Sequence, residues 1–285
     1  MSQFVIQTHA RLQEWVAHEK GYFTDAGLTD YIMTTVPLPP SDSSRPIGAY
    51  QSYEAGREAS ISCACHWTVN MAAANGHGKL WSGCYSLSPA SIFVAESSPI
   101  RRLADLADVV VDVGYQSGSH YATIQALETR VARDRIKLNF AGDPDTRLAR
   151  LFNGESQAAT LFGCQLYIAE QLGFRRVGDL TFMMAGMISE TVDPADVVRY
   201  YEALRRAQSD IDLDHQRYTH YFVNDVPEAY RDKVDLAAFG PGERLVFEPY
   251  SADIFERTQE WVAERGIFTP DKLHQRGHAE ATIAA

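Results

Sequence analysis

Val109-Val110-Val111-Asp112-Val113-Gly114-Tyr115-Gln116-Ser117-Gly118-Ser119-His120-Tyr121 is a β-branched run, then a turn of small residues, then the opening of a helix. Valine is stiff at χ1 and suits the pleated surface of a strand. Glycine and serine let the chain reverse and enter a helix. Such a turn aims free backbone N–H groups and the positive end of a helix dipole at one point. The stretch therefore predicts a β–α unit with a seat for the anionic group of a small ligand.

The same alternation runs outward in both directions. Upstream, Phe4–Gln7, Asp30–Val36 and Ala59–Cys65 read as strands. Arg11–Glu19, with Leu12, Trp15 and Val16 on one face, and Thr68–Ala74 read as helices. The Pro/Ser-rich stretch Pro37–Pro46 reads as a rim or lid loop. Gly83–Leu87 and Ser91–Glu96 read as paired or crossover strands, and Leu103–Leu106 as a short helix. Downstream of the turn, His120–Arg133, Asp143–Asn153 and Gln165–Leu172 are helical, with strands Ile136–Phe140 and Ala158–Phe162 between them. Leu180–Ile188 is apolar and returns the chain to its first unit; from Pro194 onward the pattern is helical.

Repeated β–α units predict an α/β fold with mainly parallel sheets. The crossings near 95–99 and 186–190 divide the chain into one lobe of residues 1–96 plus 190–285 and another of 97–189. In such sheets ligands sit outside the carboxyl ends of the strands. That rule selects His9, Cys65-His66-Trp67, Gln116 to His120, and Gly163-Cys164.

Composition sets the outer limits. At 285 residues, 45% of them hydrophobic, the chain can fill one large core or two smaller ones. A net charge of -11 without a basic block excludes nucleic acid as a partner. No apolar run reaches membrane-spanning length, so no membrane insertion is expected. Met1–Ala10 has neither the charged nor the apolar region of a signal peptide, so a cytoplasmic location is expected. There Cys63, Cys65, Cys84 and Cys164 would be reduced thiols, and their spacing matches no zinc module. A homo-oligomer is compatible with this composition, which carries no signature for or against one.

The candidate chemistry follows from residue type. Ser117, Gly118 and Ser119 offer hydroxyls and a closely approachable backbone to an anion, with Gln116 beside them. His120 could anchor that anion or move a proton. Cys65 is a candidate nucleophile, activated by His66 or by a helix N-terminus, and Trp67 would face the ligand. Cys63, Cys65 and His66 could alternatively hold a soft metal, or the cysteines could simply pack as small hydrophobes. The reading favours no cofactor and no metal. Cys164, freed by Gly163, would look into the cleft from the second lobe, opposite a histidine base. His9 is expected to touch ligand. Arg45 and Arg57 flank the first-lobe cleft in sequence and could pair an acidic ligand. Tyr218–Phe222 reads as aromatic core.

Longer stretches carry a family resemblance. Trp15-Val16-Ala17-His18-Glu19-Lys20-Gly21-Tyr22-Phe23-Thr24-Asp25-Ala26-Gly27-Leu28 resembles the A-x-E-x-G-Y-F-x-x-A-G-L segment of type II periplasmic solute-binding proteins. The branch is the sulfonate/nitrate and thiamine-pyrimidine-synthase-like group. Ser98-Pro99-Ile100 with Leu103-Ala104-Asp105-Leu106 resembles that group's entry to its second lobe. The resemblance implies a two-lobed fold with a ligand cleft, used by carriers and enzymes alike. The aromatic sulfinate desulfinases of this fold carry a nucleophilic cysteine just after the first strand, where this chain has Thr8-His9. The thiamine pyrimidine synthases carry a C-C-C-F-C run that is absent here, while their histidine falls near His66. The reading is an enzyme, a lyase or hydrolase of desulfinase or decarboxylase type, using cysteine and histidine on a small anionic aromatic or heteroaromatic substrate. The alternative is a non-catalytic solute-binding protein for transport or sensing.

Overall fold

The computed structural model describes residues 3–9, 11–35, 47–273 and 275–284. The expected lid Pro37–Pro46 lies outside them, as does Arg45. The chain opens with β1 (Phe4–Thr8), α1 (Gln13–Glu19), α2 (Tyr22–Asp25), β2 (Tyr31–Thr35) and α3 (Ala49–Glu54). β3 (Ile61–Cys65), α4 (His66–Ala74), β4 (Lys79–Trp81), β5 (Tyr85–Ser88) and β6 (Ala90–Val94) follow. Then come β7 (Val110–Val113), α5 (Gly118–Leu127), β8 (Lys137–Phe140), α6 (Pro144–Phe152), β9 (Ala158–Phe162), α7 (Cys164–Gln171), β10 (Arg175–Asp179) and β11 (Phe182–Ile188). The chain ends with α8 (Pro194–Asp214), α9 (Glu228–Arg231), β12 (Arg244–Val246), α10 (Ala252–Glu264), α11 (His278–Ala281) and β13 (Thr282–Ile283).

Two sheets result. One has the order β12-β5-β11-β3-β1-β2, with β4 joined to β11 and β13; the other has the order β10-β6-β9-β7-β8. The α/β class stands, but the sheets are mixed rather than mainly parallel. The β–α units pair in parallel, as β1 does with β2 and β3, and β7 with β8 and β9. The strands that carry the chain between sheets pair antiparallel: β6 and β10 in one, β5 and β11 in the other.

Those strands also shift the expected crossings. Ala90–Val94 is entirely buried and belongs to the second sheet, so the chain changes sheet at Pro89 rather than near 95–99. It returns between Asp179 and Phe182 rather than near 186–190, because β11 fills the interior of the first sheet. Ala90 pairs with Phe162 and Met184 with Cys65, so both crossings run along the end of the molecule where β3 and β9 finish. Two apolar clusters each draw on both sheets. One joins Cys65, Trp67 and Met71 to Val111, Val113 and Tyr121; the other joins Ile6, Leu12 and Val16 to Leu148, Leu161 and Cys164. Tyr218 and Phe222 are buried in the second, as expected.

Candidate functional site

The strand–turn–helix of residues 110–127 forms as expected, with the helix starting at Gly118 rather than His120. Ser117 has an extended backbone and its carbonyl accepts from the N–H of His120, which begins the helix early. The turn is tight, with Gln116 at φ +40°. Both hydroxyls are turned back on it: Ser117 Oγ donates to the Gly114 carbonyl at 2.9 Å, and Ser119 Oγ accepts from the Gly114 N–H at 2.9 Å.

This turn is pressed against the first sheet. An alanine Cβ at Gly118 would stand 2.4 Å from the Phe182 ring and 3.2 Å from Cys65 Cβ, so only glycine permits the approach. Gln116 acts as a clasp rather than as an open ligand contact. Its carbonyl accepts from Thr68 Oγ1 at 3.0 Å, its side-chain oxygen from Gln51 at 2.5 Å, and its amide donates to the Ile267 carbonyl at 3.0 Å. His120 is buried between Tyr115, Phe140 and Tyr121, and its Nδ1 accepts from the Gln116 N–H at 3.3 Å. Burial lowers its pKa to about 4, which leaves a neutral, packed imidazole.

Arg147, from the first turns of α6, completes this wall and was missed in the sequence, where it reads as one more helix-surface cation. It is 1% exposed. Its Nε donates to the Thr160 carbonyl at 3.0 Å and its Nη1 to the Gly142 carbonyl at 2.6 Å. Its Nη2 is buried without a partner among the described residues. The guanidinium lies 5.7 Å from the Phe162 ring centroid, and Phe162 packs edge-on against Phe182 of the first sheet. Burial lowers its pKa to about 10, so it stays charged. The one signal in the sequence was position: Arg147 sits just after the Gly142-Asp143-Pro144 turn that ends a β–α connection.

The expected cysteine–histidine pairs are not assembled. Cys65 Sγ donates to Thr68 Oγ1 at 3.1 Å, and burial pushes its pKa to about 11. His66 turns to Tyr250, whose hydroxyl is 3.0 Å from Nδ1, and burial lowers its pKa to about 3. Cys63 lies 3.8 Å from Arg11. The three side chains thus point at three different partners and do not converge as a metal site would. Among the described residues no group of three His, Cys, Asp or Glu is placed to share a metal ion. Trp67 is buried, stacked on Tyr121 at 5.3 Å. With His66 it lines a groove of about 410 Å³ between α4, α5 and α10.

Gly163, at φ +64°, adopts a left-handed backbone that favours glycine, and this turns the chain into α7. Cys164 follows, buried, its thiol donating to the Asp225 carbonyl at 3.1 Å. Burial, then the Asp225 charge, raises its pKa well above the usual thiol range. Among the described residues no imidazole is hydrogen-bonded to it. The charged part of the site gathers instead around His9. His9 Nδ1 is 3.1 Å from Glu243, which is buried and also held by Arg11 at 2.9 Å and by Ser86. Burial pulls the Glu243 pKa up, but Arg11 and then His9 outweigh it and hold it at about 2. Asp225 moves the other way: burial raises it to about 6 against the pull of His9, with Asp145 adding to the rise. Arg57, expected to flank the cleft, lies before the start of β3, at the opposite end of the sheet.

No family model matches the sequence, and no curated protein matches it. Solved structures do resemble it over nearly its whole length. One is the alkanesulfonate-binding protein SsuA from Xanthomonas axonopodis pv. citri bound to MOPS, with 17% identity and a TM-score of 0.71, covering 100% of this chain and 99% of that one. Another is the periplasmic aliphatic sulphonate binding protein SsuA from Escherichia coli, at 16% and 0.69, covering 99% and 91%. A third is the desulfurization enzyme DSZB, at 14% and 0.62, covering 100% and 97%. The chain has the type II periplasmic-binding-protein fold, as the resemblance implied, and that fold carries sulfonate binders and an enzyme alike.

Proposed function

We propose that this chain binds a small organic anion in the cleft between its sheets, holding the anionic group with Arg147, the Ser117–Ser119 turn and the N-terminus of α5. One observation carries the reading: the buried Arg147 Nη2 has no partner among the described residues, in a wall that also holds the start of helix α5. A buried donor left unpaired costs about 1–3 kcal/mol, and more when charged. A sulfonate or carboxylate oxygen would recover that cost through a charge-assisted hydrogen bond. Phe162 and Phe182 would supply apolar walls for the rest of the ligand. Since Gly118 touches Phe182 and Gln116 clasps three segments of the first lobe, the ligand enters when the lobes part around the crossings at Pro89 and Asp179–Phe182. The solved neighbours named for sulfonates make a sulfonate the first probe. Calorimetric titration with MOPS and with benzenesulfonate should show binding that Arg147→Gln weakens at least tenfold. Equal affinity in both proteins, or no binding of either probe, refutes the reading.

A second reading is catalysis on the bound anion, and the His9–Glu243 pair favours it. With the buried Glu243 carboxylate 3.1 Å from Nδ1, the imidazole would be oriented electrostatically and its other nitrogen left to move a proton. With Asp225, its pKa raised to about 6, within electrostatic reach, such a lyase or hydrolase would work through His9 and not through the buried thiols. Biphenyl-2-sulfinic acid, the ligand of one DSZB structure, is a direct probe. Sulfite should be released by the wild type and lost in His9→Asn with binding retained. Binding without sulfite release removes the desulfinase form of this reading.

A further inference from the structure

A second pocket opens at the far end of the first sheet. Its walls are the end of α3 with the loop into β3, the loop before β4, and the residues after β11; its volume is about 300 Å³. β3 and β11 run antiparallel, so the start of β3 and the end of β11 meet here, while their other ends form the cleft. The two sites are therefore separated by the length of a five-residue strand, about 13 Å at the usual rise.

Arg57 is the built feature of this pocket. Its guanidinium carbon lies 4.0 Å from the centre of the Tyr53 ring. Its Nε donates to Ser52 Oγ at 2.6 Å. Tyr53 is itself buried and accepts from the Ser62 hydroxyl at 3.2 Å, so the cation rests over a fixed ring. Its Nη1 is buried without a partner among the described residues. The same pocket carries two half-exposed carboxylates. Glu54 Oε1 pairs with Lys272 at 2.5 Å and Glu190 Oε1 with Arg276 at 3.2 Å, and the second oxygen of each makes no hydrogen bond to the described residues. His77 adds no charge near neutral pH, because burial lowers its pKa.

The pocket thus joins one unpartnered guanidinium nitrogen to two carboxylate oxygens that Lys272 and Arg276 leave unbonded, a set that suits a ligand carrying both charges better than a simple anion or a simple amine. We infer that this pocket is a second binding site, for a small zwitterion of the α-amino-acid class. The ligand carboxylate takes the unpartnered Nη1 of Arg57 and its ammonium takes Glu190 or Glu54. Met187 and Ile188, which line the pocket, receive a short side chain. The site is independent of the cleft and of whatever binds there.

The test is a thermal-shift and calorimetric series on the whole chain with each of the twenty common L-α-amino acids, with acetate, and with methylammonium. At least one amino acid should bind, while acetate and methylammonium at equal concentration should not. Arg57→Gln should weaken that binding at least tenfold, and Arg147→Gln should leave it unchanged. Glu190→Gln, at a half-exposed position, reads the amine end and should also weaken it, which keeps the test decisive if the Arg57 variant does not fold. The inference is overturned if no amino acid binds, if acetate binds as well as the amino acid, or if binding survives Glu190→Gln and Arg57→Gln. It is equally overturned if binding is lost in Arg147→Gln instead.

Discussion

Alanine at Gly118 tests the contact that closes the cleft, and two opposing terms set its size. Alanine is the better helix former by up to about 0.5–1 kcal/mol, which favours the variant. Against this, the new Cβ would lie 2.4 Å and 2.5 Å from two carbons of the Phe182 ring and 3.2 Å from Cys65 Cβ. Carbon atoms settle at about 3.5–4.0 Å, so the ring must retreat by roughly 1 Å. Phe182 is 4% exposed and boxed in by Phe162 at 5.7 Å and Trp67 at 6.2 Å, so it has little room to do so. Overpacking of this kind costs about 1–3 kcal/mol. The net expectation is a loss of about 1–2 kcal/mol, read by scanning calorimetry as a fall in Tm of roughly 2–8 °C at 2–4 °C per kcal/mol for a large domain. In a Phe182→Leu background the ring is gone and the cost should nearly vanish, giving a coupling energy of about 1 kcal/mol or more between the two positions. An unchanged or raised Tm in Gly118→Ala, or strict additivity with Phe182→Leu, would show that the start of α5 does not press on the first sheet.

Three further outcomes follow from the charges and clasps. Glu243 is held near pKa 2 in the fold, below its ordinary 4.5, so it stabilises the protein fully above pH 4.5 and loses that contribution as pH falls toward 2. Glu243→Gln should flatten the stability profile in that window, measured by urea unfolding, and an unchanged slope would contradict the pairing. All four cysteines are buried with raised pKa values, so a thiol reagent at pH 8 should label the native protein far more slowly than the unfolded one; fast labelling of Cys65 or Cys164 would restore a thiol mechanism. Gln116→Ala removes two side-chain hydrogen bonds across the lobes, worth about 1 kcal/mol each. If opening limits entry, sulfonate affinity should rise about 5–30-fold by population shift, whereas a loss of affinity would make Gln116 a ligand contact.

The strands and helices that carry their own periodicity were legible in the sequence. Ala158–Phe162 forms as read, because five consecutive small or apolar residues have only a sheet interior to occupy. The short strands were not. Arg175–Asp179 is mostly polar and Thr282–Ile283 is two residues long, and both are strands only because a neighbouring edge accepts their hydrogen bonds. Strand ends pointed correctly to the neighbourhood of the site but not to the direction of each side chain. Cys65, His66 and His120 stand at those ends, yet each turns into packing. A rule about backbone position says nothing of the burial cost that decides where a thiol or imidazole finally rests.

Burial alone does not select the site either, as the two most enclosed arginines among the described residues show. Arg11 is 3% exposed and Arg147 1%. Arg11 is surrounded by its own counter-charges: it is bidentate to Glu14, paired with Glu243 at 2.9 Å and bonded to the Tyr200 hydroxyl at 3.2 Å. Its charge is spent inside the lobe, and its role there is to hold Glu243 beneath His9. Arg147 has two carbonyl acceptors and, among the described residues, no bonded carboxylate; Asp143, Asp112 and Asp145 act on it only at a distance. Enclosing a charge without a bonded counter-ion costs several kcal/mol. A fold that keeps such a charge near a helix start and against the Phe162 ring gains most when an anion arrives to complete it.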